Sequence, residues 1–173
     1  MPSAHNLDGY GTTPIAWERV TRQIGTEVPQ VPGQGGPGRH TAWLTTLNAD
    51  GSPHVRPLGI VPLDGAWYFN SGAETVKTKN LQRRRRCVLS MATEPFDLVV
   101  EGDAVRVTQS RELAAVAAVF GKDWPCTVDG DALTAEFSAP SAGKPPYFVF
   151  RLDAERVYAF GTQEPYGATR FDM

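Results

Sequence analysis

Arg56, Ser71, Lys77, Lys79 and Asn80 are the donors and cations that the chain sets up for an anion. They fall within one stretch, Pro53 to Thr93, which reads PHVRPLGIVPL, DG, AWYFNS, GAETVKTKNLQRRRR and CVLSMAT. Arg56 sits on the first β-rich run and Ser71 closes the second. Asp64-Gly65 between them is a hairpin signal, because a type I′ turn needs positive φ. The hairpin would fold Arg56 back beside the far end of the second run. The chain then turns at Gly72 into a short basic helix carrying Lys77, Lys79 and Asn80. The first amides of that helix add free N–H groups and partial positive charge. A cluster of this composition suits a phosphorylated ligand, and each charge-assisted bond to it is worth roughly 1.5–3 kcal/mol. Pro57 adjoins Arg56, and Pro53, Pro57 and Pro62 share one run. Proline cannot donate to a ladder, so this run is expected to be bent, bulged or at an edge, with backbone free to face a ligand.

The elements that must position these residues read as strand, turn, strand, helix, strand. Ahead of them the barrel part starts at His40, where TAWLTTLN alternates as a strand and Asn48 to Gly51 form a turn. After them FDLVVEGDAVRVTQ reads as a second hairpin pair with a bulge at Gly102. Ser110 is placed to cap a helix that ends at Gly121, with Leu113, Val116, Ala117 and Phe120 as its apolar face. Residues 122–146 are irregular, with a short helix expected at ALTAEF. YFVFRLD and ERVYAFG make a last pair of strands, followed by the tail TQEPYGATRFDM. Residues 1–39 read as an N-terminal helix, opened by Thr13-Pro14 and running to about Gly25, then a Pro/Gly-rich arm, VPQVPGQGGPG. Residues 40–173 form the ligand-binding domain. Many hairpins and no regular alternation of strand and helix predict a mainly β antiparallel barrel of six or seven strands, with helices near 74–82 and 110–120.

Composition sets the outer bounds. The chain has 173 residues, 41% hydrophobic and 21% charged, which fits one globular domain with a real core. A net charge of -2 argues against a general nucleic-acid binder. No apolar run reaches the length of a membrane span, and MPSAHNLDGYGTTP has neither the charged nor the apolar region of a signal peptide. A cytoplasmic protein with Cys87 and Cys126 as free thiols is the expectation.

The run from His40 to Asp103 resembles the split β-barrel of the pyridoxamine 5′-phosphate oxidase-like family, the flavin and deazaflavin oxidoreductases. LTTLNADGSPHVRPLGIV, WYFNSGAETVKTKNL, CVLSM and VVEGDAVRV carry the resemblance by their order and spacing. TQEPYGATRF is similar to the C-terminal signature of an actinobacterial-type branch. The resemblance implies a homodimer with FMN or the deazaflavin coenzyme F420 in a cleft between subunits. It implies that Arg56 reaches the cofactor phosphate, that Ser71 lies near the phosphate or ribityl chain, and that Lys77 pairs with the phosphate. Two departures stand out. Val76 replaces a polar donor before the lysine, and the closing Arg-x-His substrate motif is reduced to Arg170. Oxidation of pyridoxamine phosphate itself is therefore not expected.

The candidate cofactor-binding set is Arg56, Pro57, Ser71, Lys77, Lys79, Asn80 and Arg170. No metal site and no catalytic acid or base is named, since the cofactor carries the hydride chemistry. The implied activity is hydride transfer between FMN or F420 and a small organic substrate. The alternative on the same barrel is a non-catalytic flavin, haem or tetrapyrrole carrier. Bland readings compete at each position. Exposed helix lysines are usually solvated, and Ser71 is also a good turn residue. Arg83 to Arg86 would point around most of a helix, so they cannot all serve one ligand. His54 shares a strand face with Arg56 and reads as a proton donor or, more simply, a polar residue at a turn edge.

Overall fold

The computed structural model describes residues 1–27 and 42–173. Chain order is β1 (Ser3–Asn6), α1 (Trp17–Glu27), β2 (Ala42–Leu47), β3 (Pro53–Leu58), β4 (Ile60–Leu63), β5 (Ala66–Gly72), α2 (Val76–Arg83), β6 (Arg86–Ala92), β7 (Phe96–Arg106), α3 (Ser110–Phe120), β8 (Cys126–Asp129), β9 (Ala132–Ala135), β10 (Tyr147–Gly161) and β11 (Ala168–Asp172). All eleven strands join one sheet, and every pairing is antiparallel. The sheet curls into a split barrel that does not close. Its path runs β1-β11-β10-β7-β6-β2-β3, while β5 branches from β10 and carries β4. The seam lies between β3, bonded only to β2, and β4, bonded only to β5.

The proline-bearing run explains the seam. Leu58 ends one strand and Ile60 begins the next, so the chain changes direction at Gly59 and the run becomes two edge strands. Asp64 and Gly65 have φ of 50° and 79°, the signature of the expected I′ hairpin between β4 and β5.

Two apolar cores flank the sheet. The inner one gathers Leu44, Phe69, Leu89, Phe96, Val100, Phe150, Val157 and Phe171, with Phe69 stacked on Phe150 at 5.4 Å. Ile15, Val20 and Ile24 of the N-terminal segment fill the same core, and β1 lies along β11. The outer core packs Leu113, Val116, Ala117 and Phe120 of α3, the face expected from its spacing, against Tyr68, Leu133, Tyr147 and Val149.

Several local expectations need correction. FDLVVEGDAVRVTQ is one strand, β7, rather than a hairpin pair. YFVFRLD and ERVYAFG are likewise one continuous strand, β10. The extra residue of the bulge is Glu155 on β10, while Gly102 sits opposite Ala154. A Cβ on Gly102 would overlap the Asp153 carbonyl oxygen, so the crowding at the bulge accounts for the glycine. ALTAEF is not helical; β8 and β9 form a hairpin turned at Gly130, whose φ is +60°. The short strands β1, β4, β8, β9 and β11 raise the count above the six or seven expected. Ser110 is the first residue of α3, and the cap position belongs to Gln109, which makes no side-chain cap bond. The first helix begins at Trp17, three residues beyond Pro14, and the Ile15 amide ahead of it donates to Thr169 Oγ1 at 2.8 Å. The Pro/Gly arm and the 39/40 boundary lie outside the described residues. Among the described residues no helix is long and apolar enough to cross a membrane.

Candidate functional site

Helix α2 sits beside the seam and is tied to both sides of it. On the β5 side, Thr75 is its N-cap and accepts from the Thr78 amide. The Thr78 hydroxyl lies 2.7 Å from Ser71 Oγ and 2.8 Å from the Gly72 carbonyl, and Ser71 Oγ lies 2.9 Å from Thr75 Oγ1. On the β2 side, Asn80 Nδ2 donates to Thr46 Oγ1 at 3.0 Å and to Asn48 Oδ1 at 3.1 Å. These side-chain bonds hold the first turn of α2 at the opening, where its leading amides lack intrahelical partners.

The register of β3 decides which side chains face that opening. His54, Arg56 and Leu58 lie opposite Thr46, Leu44 and Ala42, all of which are buried on the inner face. Arg56 therefore belongs to the inner face, yet it is exposed, because an edge strand at an open seam has no neighbour to cover it. Its NH1 donates to the Val55 carbonyl at 2.7 Å. Lys77, half-buried on α2, is close enough for Arg56 to act on it electrostatically. Burial first, and then the Arg56 charge, hold Lys77 below the usual lysine value. Burial, Arg56 and Lys77, in that order, likewise depress His54. Among the described residues neither Arg56 nor Lys77 has a carboxylate partner. Arg56, Lys77 and His54 thus act on one another at the seam, and among the described residues none of the three is ion-paired.

The opening leads into a cavity of about 490 Å³ between the seam and the outer layer. Pro57, Gly59, Ser71 and Lys77 line the barrel side, and Phe120 and Trp124 line the other. Trp124 is locked by its indole N–H, which donates to the Phe137 carbonyl at 2.6 Å. The Ala142 carbonyl presses against Gly72 so closely that a Cβ there would overlap it. A phosphate at the mouth and a flat, largely apolar ring system inside are what this arrangement can hold.

The candidate residues divide accordingly. Pro57, Ser71 and Lys77 line the cavity, and Arg56 is close enough to Lys77 to act on it electrostatically. Lys79 does not join them: it pairs with Glu74 at 3.0 Å, exposed to solvent. Asn80 is buried in the tie to β2 and does not line the cavity. Arg170 lies on the outer face. A register row runs Pro57, Trp43, Ser90, Val99, Tyr158, Arg170, placing Arg170 five strands from Pro57. That is roughly 24 Å along the sheet at 4.8 Å per strand. There Arg170 donates to Asp172 at 3.1 Å. Of the arginine run, Arg83 donates to the Leu47 and Asn80 oxygens, and Arg86 pairs with Glu155 at 2.6 Å. The cavity wall from α3 and residues 138–142 carried no sequence motif; only the α3 periodicity hinted that a layer covers the sheet there.

The family model for pyridoxamine 5′-phosphate oxidase matches residues 36–161, which include the seam, α2 and the cavity. The chain belongs to this family. Solved structures share its fold at low identity. A conserved hypothetical protein from Mycobacterium tuberculosis matches with a TM-score of 0.60 at 16% identity, covering 85% of each chain. A heme binding protein from Mycobacterium smegmatis matches with a TM-score of 0.59 at 17% identity, covering 85% of this chain and 55% of that one. A pyridoxamine 5′-phosphate oxidase-related, FMN binding protein from Nostoc punctiforme matches with a TM-score of 0.50 at 16% identity, covering 74% and 78%. No curated protein matches the sequence. Membership and likeness establish the barrel.

Proposed function

We propose that this protein is a flavin- or deazaflavin-dependent oxidoreductase that anchors the phosphate of FMN or coenzyme F420 at the seam. The observation that carries this reading is the pair Arg56 and Lys77, close enough to act on each other electrostatically and neither ion-paired among the described residues, with Lys77 lining the cavity. Two cations held so close repel, and an anion between them turns the repulsion into attraction. The first-turn amides of α2 add donors to the same anion. Ser71 shapes the floor, with its hydroxyl already engaged by Thr75 and Thr78. Val76 is exposed at the start of α2 and contributes no side-chain donor. When bound, the cofactor supplies hydride transfer. The chain's own part is to bind the phosphate, to shelter the ring between the seam and Phe120 and Trp124, and to exclude water. The substrate is a small organic molecule other than pyridoxamine phosphate.

Assembly as a cytoplasmic homodimer belongs to the same proposal. Trp43 and Val55 are 44% and 42% exposed on the outward side of β2 and β3, beside Pro57. Tyr158 and Phe160 stack farther along the sheet on β10. Apolar side chains in such numbers on one sheet face favour a second copy over water. Light scattering at micromolar concentration should give twice the chain mass; the mass of a single chain removes the assembly proposal.

The test of function is titration of the purified protein with FMN and with F420, read by fluorescence, beside its absorbance as isolated. One of the two should bind. Arg56→Ala should weaken that binding by about tenfold or more, the equivalent of one charge-assisted bond. Unchanged affinity in the variant would place the phosphate elsewhere. A Soret band in place of flavin absorbance would favour the carrier reading.

A further inference from the structure

We propose that His54 is a third ligand of the anion held by Arg56 and Lys77, oriented by a hydrogen-bond relay running from Arg83 through Asn80 and Thr46. The inference rests on the anion-site reading above and adds a residue and a proton to it.

The relay has a fixed direction. Arg83 NH2 can only donate, and it donates to Asn80 Oδ1 at 2.9 Å. The Asn80 amide is thereby oriented, and both its N–H groups are used, on Thr46 Oγ1 and Asn48 Oδ1. Thr46 Oγ1 accepts from Asn80 and has one proton of its own, which it donates to the His54 carbonyl. His54 Nδ1 lies 3.5 Å away and the His54 carbonyl 3.4 Å. With that proton committed, Nδ1–H donates to Thr46 Oγ1 in neutral His54, and Nε2 is the nitrogen that takes up the second proton when an anion binds. Nε2 has no partner among the described residues, and it is the nitrogen left to donate to a ligand.

The surroundings favour an anion over any other partner. His54 and Arg56 are two residues apart on one strand face, so both project into the opening. The charged groups that act on His54 are Arg56 on its own strand and Lys77 on α2, both positive. Arg83 is the other charged residue in the relay, and Asp50, in the turn after β2, is engaged by Ser52. Desolvation and two like charges hold His54 neutral while the site is free. A phosphate reverses the sign of the local field and lets the imidazole take up a proton. Binding should therefore carry a proton into the protein, and affinity should gain as pH falls.

The chain has three histidines, His5, His40 and His54, so imidazole NMR signals are assignable by comparison with His54→Gln. Titrations are run on the full chain alone, with inorganic phosphate, and with FMN or F420. The ligand should raise the His54 pKa by about one unit, and wild type should gain about five- to tenfold in affinity over His54→Gln between about pH 8 and about pH 5.5. Comparison with the variant cancels the ligand's own titration. Thr46→Val should loosen the ring and flatten that pH dependence, and Thr46→Ser should restore it. A ligand that binds and depends on Arg56 without moving the His54 signal overturns this inference and leaves the proposed function standing. A Thr46→Val variant with the wild-type pH profile overturns the relay. Failure of phosphate, FMN and F420 to bind at all overturns both readings together.

Discussion

Lys77 lies within electrostatic reach of Arg56, and its ammonium is destabilised by burial and by that guanidinium. The folded state therefore disfavours a charge that the unfolded chain carries freely. The sign follows from linkage. Lys77 lies below its unfolded value of 10.5, so its contribution to stability improves as pH rises toward 10.5 and is least favourable at neutral pH and below.

Replacing Lys77 with Met should then separate stability from function. The ligand-free variant should melt about 2 °C higher at neutral pH, a gain that fades as pH approaches 10.5. Its affinity for the cofactor should fall by about tenfold. Calorimetry and fluorescence titration on the same samples measure the two. A lower melting temperature together with intact binding would mean that Lys77 is a structural residue.

Thr75 caps α2 and joins the hydroxyl group with Ser71 and Thr78. Thr75→Ala should cost about 1–2 kcal/mol in urea unfolding, the usual loss for a capping threonine. Cofactor affinity should also drop, since the same turn presents the first amides of the helix. Thr75→Ser should recover most of both.

Gly72 leaves no room for a side chain beneath the Ala142 carbonyl. Gly72→Ala should force the loop at residues 139–142 away from β5. We expect destabilisation of about 2–3 kcal/mol by chemical denaturation, the scale of an overpacked contact. Trp124 reports the shift, because its indole is bonded to the neighbouring Phe137 carbonyl. Unaltered tryptophan emission in the variant would count against the coupling.

The two thiols should differ in reactivity. Burial pushes Cys87 up to about 12, and it also raises the half-buried Cys126. Since the thiolate is the reactive form, both should alkylate slowly at about pH 8 in the native state. Cys126 should be modified first, and Cys87 only with global unfolding. Mass spectrometry of iodoacetamide-treated protein gives the order. Early labelling of Cys87 would show that the inner core opens more readily than its packing suggests.

The seam and the grouping of Arg56, Ser71 and Lys77 beside it were legible because they rest on local chemistry. Prolines mark edges, Asp64-Gly65 fixes a hairpin, and the turn at Gly72 leads into a short helix, so these residues could be brought together from sequence. Lys79 was misplaced because helical position alone does not reveal Glu74 as a nearer partner. Asn80 looked like a donor for a ligand, but its partners Thr46 and Asn48 are more than thirty positions back in the chain, beyond any local rule. Strand ends were hardest to read. β10 stays continuous through its bulge because β7 pairs along most of its length, a tertiary fact absent from the residues themselves. The β8–β9 hairpin lost out to apparent helical composition at ALTAEF, where burial of Ala132 and packing of Leu133 in the outer core decide the matter.

The length of β10 has a consequence for how the chain reaches this fold. Residues 147–161 are needed by β5, β7, β9 and β11, and each of the first three has been synthesised before they arrive. A ribosome-bound chain therefore holds β5 and β7 as unsatisfied edges until residues 147–161 have been made. The pairing that then forms spans large sequence separations, which places the folding time in the millisecond-to-second range of high-contact-order β proteins. During that interval β5, with Trp67, Tyr68 and Phe69 in succession, is the segment most exposed to self-association. Slower translation upstream would not shorten the wait; only release of β10 ends it.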